Sequence, residues 1–134
     1  MSHIKLLLGL VMPVLLLAGP ALADGDAAKG QKEFRKCAAC HALEAGKNKV
    51  GPSLHSVYGR EAGAAEGYKY SESYIEAGKK GLKWDDKSLS DYLADPKGFL
   101  NSYLGTTDAK SKMLFKLAKE DAREDVIAYL KTVK

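Results

Sequence analysis

Among its 134 residues the chain has little of several things, and each shortage closes off a class of function. It carries two cysteines, Cys37 and Cys40. A structural zinc wants four ligands, and the histidines His41 and His55 do not stand at finger-like spacing from that pair. No stretch alternates long enough to read as a strand. That removes the βαβ setting which a thioredoxin-like Cys-x-x-Cys disulfide needs. The formal charge of +4 is spread without a dense basic block, which argues against a nucleic-acid arm. Dispersed lysines suit an acidic protein partner instead. The longest apolar run, Leu6 to Leu17, falls short of the ~20 residues that cross a bilayer. There are no repeats and no linkers.

That run belongs to the opening MSHIKLLLGLVMPVLLLAGPALAD. Lys5 supplies the positive start, and Ala21-Leu22-Ala23 supplies a small-residue cleavage site. This is the layout of a secretory signal peptide over residues 1 to 23, leaving a single domain over residues 24 to 134 in the periplasm. An uncleaved anchor is the other reading of the same residues.

Within the domain, Asp26 to Cys37 reads as a helix capped by Asp26, with Gly30 and Phe34 on one face. Residues 42 to 70 read as loop, rich in glycine and without a period. A loop that long needs something to wrap. Residues 71 to 78 suggest a short helix. Leu89, Tyr92 and Leu93 form the stripe of another, which stops at Pro96. Asp95-Pro96 then opens a helix to about Leu104. A loop from Gly105 to Lys112 precedes a last helix near Lys119 to Val133, with Ala122, Val126, Tyr129, Leu130 and Val133 on its apolar face. The result is an all-α domain with a thin core, whose middle is filled by something other than protein.

The stretch CAACH, residues 37 to 41, names that filler. In covalent haem attachment each thiol adds across one vinyl group of the porphyrin. The residue after the second thiol lies under the iron, where an imidazole coordinates it. This reading uses every residue of the motif and also accounts for the export signal and the thin core. The second axial position goes to Met, His or no protein group. With Met1 and Met12 in the leader, Met113 is the one methionine left. His55 follows in a loop that starts on the His41 side, an awkward route to the opposite face. Met113 also stands in a polar, lysine-flanked phrase, unlike core filler.

Taken together these residues resemble the class I cytochromes c, and most closely the bacterial cytochrome c2 group, over residues 26 to 133. Lys29-Gly30 with Phe34, CAACH, GPSLHSVYGR, GYKYSES, GLKW, ADPK, KMLF and EDVIAYLK carry the resemblance in order and spacing. It implies the class I cytochrome c fold: four to five helices, with long loops wrapped round one haem c held through Cys37 and Cys40. It implies that the Pro52 carbonyl accepts the Nδ1 proton of His41. Arg60, Tyr70 and Trp84 would satisfy the haem propionates, with Tyr68 on the same side. Tyr92 would donate to the Met113 sulfur. Gly30 and Phe34 would cross the last helix at Val126 and Tyr129. The chain departs from the mitochondrial pattern in TTDAKSK before Met113, in a longer stretch from Pro96, which brings Ser111 forward as a distal hydroxyl. It also departs at Tyr74, where many relatives have asparagine.

A Met thioether and a buried haem both raise the reduction potential, and two protein axial ligands leave no open site for substrate. The expectation is therefore a one-electron carrier rather than an enzyme, and a monomer. Lys36, Lys97 and Lys112, with Lys49, Lys110 and Lys116, would ring the haem edge and steer acidic partners. By resemblance those partners are a cytochrome bc complex as donor and a photosynthetic reaction centre or terminal oxidase as acceptor. Two rivals remain. One is a haem domain with an open sixth site, acting as a peroxidase-like enzyme or gas binder, for which no distal histidine is evident. The other is a fixed subunit of a larger complex.

Overall fold

The computed structural model describes residues 25–134, so the leader read at residues 1 to 23 lies outside the described residues. Helix α1, Ala27–Glu33, begins where the Asp26 carboxylate accepts the free N–H groups of Ala28 and Lys29. It does not run on unbroken to Cys37. From Phe34 to Lys36 the chain tightens into a 3-10 turn. The Cys37 and Ala38 N–H groups both donate to the Phe34 carbonyl, at 2.8 and 3.0 Å. The next tight turn follows at once, with the Cys40 and His41 N–H groups on the Cys37 carbonyl, each at 3.0 Å. Periodicity in the sequence cannot separate these turns from one more turn of α-helix.

Helix α2, Glu72–Lys79, is capped by Ser71. Helix α3, Asp86–Ala94, starts at a reciprocal capping box between Asp85 and Ser88. Helix α4, Pro96–Leu104, has proline in its first position and ends at Gly105 in the left-handed region, φ 67°. Helix α5, Glu120–Leu130, closes the domain. The one β-type pairing among the described residues is an isolated bridge between Glu61 and Lys83.

Helix α1 packs on α5, which also takes α3, while α4 bridges α3 and α2. The α1–α5 crossing is close because Gly30 has no side chain. A Cβ there would lie 1.9 Å from the Asp125 carbonyl oxygen and 2.9 Å from the Tyr129 Cβ. Beside it the Phe34 and Tyr129 rings sit 5.7 Å apart, and Val126 is buried in the same cluster. The expected crossing is present, with Asp125 as its nearest backbone.

The loops satisfy their backbones with single side chains. Asn48 donates to the Glu66 carbonyl at 2.8 Å and accepts from the Ser53 N–H at 2.9 Å. Asn101 accepts from the Ala109 N–H at 2.9 Å. Helices on one side and these loops on the other enclose a central space.

Candidate haem-binding site

That space is a cavity of about 390 Å³, within the range of cofactor sites. Cys37, Cys40, His41, Pro52, Arg60, Tyr70, Trp84, Tyr92 and Met113 all line it, which brings together every cofactor-binding residue expected from the sequence. Leu54, Val57, Leu89, Leu93, Val126 and Leu130 supply apolar wall. The donor set and the shape fit a haem.

On the histidine side, His41 Nδ1 lies 2.7 Å from the Pro52 carbonyl oxygen. A proton held there leaves the Nε2 lone pair as the coordinating group. The ring rests on Gly51, where a Cβ would come within 2.3 Å of His41 Cε1. Burial above all lowers the His41 pKa, and the charges of Lys49 and Arg60 act the same way against the Pro52 bond. The ring is therefore held neutral, as a ligand must be. Cys37 is half-buried and Cys40 exposed, both as free thiols. Burial first, and then the Glu33 charge, push the Cys37 thiol pKa up.

Arg60 donates to the His55 and Ser53 carbonyls at 2.9 and 3.0 Å. Its Nε is buried and finds no partner among the described residues. A buried unpaired guanidinium N–H is costly, and an anionic group such as a propionate would relieve it. The Tyr70 hydroxyl accepts from the Ala65 N–H at 3.0 Å, and the Tyr68 hydroxyl donates to the Val50 carbonyl at 2.9 Å. Tyr74 stacks on Tyr70 at 4.8 Å and meets Tyr92 edge-on at 5.9 Å. Burial raises its phenol well above the ordinary range. An aromatic slab occupies the place where an asparagine would offer an amide.

Met113 is half-buried in a segment without helix and lines the same cavity as His41. Burial pushes the Tyr92 pKa up to about 12, with the Ser111 hydroxyl acting the other way. Ser111 donates to the Met113 carbonyl at 2.8 Å. Ser111 thus interacts with both Tyr92 and the methionine segment. His55 lines a separate cavity of about 150 Å³, with Nδ1 3.2 Å from the Leu43 carbonyl.

The lysines divide. Lys36 and Lys112 line the large cavity; Lys97, in the first turn of α4, does not. Lys36 pairs with Glu33 at 2.7 Å. Lys112 donates to the Lys69 carbonyl, with its ammonium 5.6 Å from the Tyr68 ring centre. Lys49 donates to the Ala38 carbonyl at 2.6 Å, and Lys116 pairs with Asp95 at 3.2 Å. Sequence reasoning missed the apolar lip: Val50, Leu114 and Phe115 are exposed and line the same cavity. Leu114-Phe115 inside a lysine-rich phrase was the available signal. Among the described residues no three His, Cys, Asp or Glu side chains converge as a metal site, and no helix is long and apolar enough to cross a membrane.

A family model for cytochrome c matches residues 27–134. The chain is 50% identical over 127 residues to cytochrome c2 of Rhodospirillum rubrum, covering 94% of each protein. It is also 50% identical over 111 residues to cytochrome c-550 of Novispirillum itersonii, covering 82% of this chain and 100% of that one. The solved structure of cytochrome c2 from Rhodospirillum centenum superposes with a TM-score of 0.78 at 43% identity, covering 81% of this chain and 98% of the other. The chain belongs to the cytochrome c family, with the class I fold. Within that family its likeness is to the bacterial cytochrome c2 group, as the sequence motifs implied.

Proposed function

We propose that this protein is a soluble periplasmic one-electron carrier, holding one haem c through Cys37 and Cys40 with His41 and Met113 as axial ligands. The observation that carries this reading is the single cavity lined by the CAACH turn on one side and Met113 on another segment. The haem supplies an iron that gains and loses one electron. His41, fixed by Pro52 and Gly51, supplies a neutral imidazole in one orientation. The Met113 thioether favours the reduced state, and the apolar walls exclude water and favour it further. The Arg60 guanidinium, with Tyr70 and Trp84 on the same cavity wall, would hold the haem propionates. Among the described residues His41 is the histidine that lines the cavity, and His55 lies outside it, so no second histidine of the described residues offers the acid–base work of a peroxidase-like centre.

Export through a leader ending at Ala23 places the carrier between membrane complexes. Lys36 and Lys112 at the mouth steer it to acidic faces, and the lip of Val50, Leu114 and Phe115 gives those faces an apolar contact. A cytochrome bc complex as donor and a reaction centre or terminal oxidase as acceptor fit that surface. The test is the purified holoprotein. Acidified acetone should leave the haem on the chain. The thioether band at the red end of the oxidised spectrum should vanish in Met113→Ala. A haem that extracts freely, or a band that persists without Met113, overturns the assignment.

A further inference from the structure

We propose that Ser71 and Ser73, at the start of α2, are positioning residues for the methionine segment and act through the backbone of Lys110. The Ser71 hydroxyl donates to the Lys110 carbonyl at 2.7 Å. The Lys110 N–H donates to the Ser73 hydroxyl at 2.8 Å. One residue, three positions before Met113, is thus gripped on both of its polar backbone groups by two hydroxyls from the same helical turn.

The grip matters because the segment between α4 and α5 has no ladder of its own. Its backbone groups must find partners elsewhere. At its ends they do so on Asn101 and on the Leu93 carbonyl, which accepts from the Leu117 N–H at 2.8 Å. Between those ties, the Ser71–Lys110–Ser73 clamp and the Lys112 bond to Lys69 fasten it to the α2 side. Ser71 also caps α2, accepting from the Tyr74 N–H at 3.2 Å. Among the described residues the Ser73 side chain makes only the bond to Lys110, so its removal tests the clamp alone.

The inference rests on Met113 being the second axial ligand. An external ligand can take that position only while the segment is swung away, so its apparent affinity reports the open fraction. Loss of one hydrogen bond should raise imidazole binding to the oxidised holoprotein about fivefold in Ser73→Ala. Ser73→Thr, which keeps the hydroxyl, should restore the original affinity. Ser71→Ala should bind imidazole at least as tightly as Ser73→Ala and melt earlier, because the α2 cap goes too. In a Met113→Ala background, adding Ser73→Ala should change nothing.

Retention of the thioether band in Met113→Ala would defeat the ligand reading, and the clamp with it. If that band is lost but both serine variants bind imidazole as the unaltered protein does, the ligand stands and the clamp is wrong. A lower melting temperature for Ser73→Ala with unchanged affinity, or an equal gain in the Met113→Ala background, makes Ser73 ordinary scaffold and also overturns the proposal.

Discussion

Where α1 crosses α5, backbone meets backbone. Gly30 lies against the Asp125 carbonyl, and the Asp26 N–H donates to the Asp125 carboxylate at 2.7 Å. The segment from Gly105 to Lys119 is tied to its neighbours by separate hydrogen bonds, to the side chains of Asn101, Ser71 and Ser73 and to the Leu93 carbonyl. The first contact is made of close packing, which tolerates no added atom. The second is made of separate hydrogen bonds, each worth about 1 kcal/mol net. One region should therefore fail all at once and the other in steps. That division suits the proposal of an axial ligand carried on a loop.

The widest separation is expected at Gly30→Ala. Its methyl would collide with the Asp125 carbonyl, so α5 must shift, at a cost of about 3 kcal/mol by denaturant unfolding. The thioether band of the folded fraction should be unaltered. A variant that keeps its stability would show that the crossing is slack.

Alkaline pH probes the other region. Burial raises the Tyr92 pKa from 10.0 to about 12 in the folded chain. Between those values the unfolded chain has lost this proton and the folded chain keeps it. Stability should therefore fall as pH rises from about 10 to about 12, by at most about 2–3 kcal/mol from this group. Tyr92→Phe should flatten that fall. At neutral pH the same variant removes the hydroxyl that the family resemblance aims at the Met113 sulfur, and should lower the potential by some tens of millivolts, since a tenfold change for one electron is 59 mV and one neutral hydrogen bond is worth about 1 kcal/mol. A fall as steep in Tyr92→Phe as in the unaltered protein would assign it to Tyr70 and Tyr74, whose pKa values burial also raises.

The smallest effect concerns charge at the cavity mouth. At low ionic strength, Lys36→Glu and Lys112→Glu should each slow reaction with an acidic partner a few-fold. Lys97→Glu, at a side chain that does not line the cavity, should slow it less, and the difference should close as salt shortens the Debye length below ~10 Å. Equal slowing at all three sites would reduce the surface to net charge.

These expectations also mark what was legible. Asp95-Pro96 and Gly105 bound α4 because caps depend on local chemistry. That CAACH and Met113 belong to one site was legible, and both line one cavity, because few residue types are able to hold a haem. The tightening after Glu33 was not, since a 3-10 turn keeps the same apolar face. Nor was the influence of Ser111 on Tyr92, which depends on the path of a loop with no period to follow. Gly51 escaped notice because its meaning lies in a ring ten residues away.

That ring has a consequence for anyone wishing to transplant the motif. CAACH fixes two sulfurs and offers an imidazole, but it does not aim it. Aim comes from the following stretch, which is laced back onto the motif. The Gly51 N–H donates to the Cys40 carbonyl at 2.8 Å, the Leu54 N–H to the Ala42 carbonyl at 2.9 Å, and the Lys49 ammonium to the Ala38 carbonyl at 2.6 Å. Gly51 clears space for the imidazole and Pro52 holds its proton. A five-residue graft into another scaffold would carry the attachment chemistry with a freely turning ligand. The smallest portable cassette runs from Cys37 to Leu54.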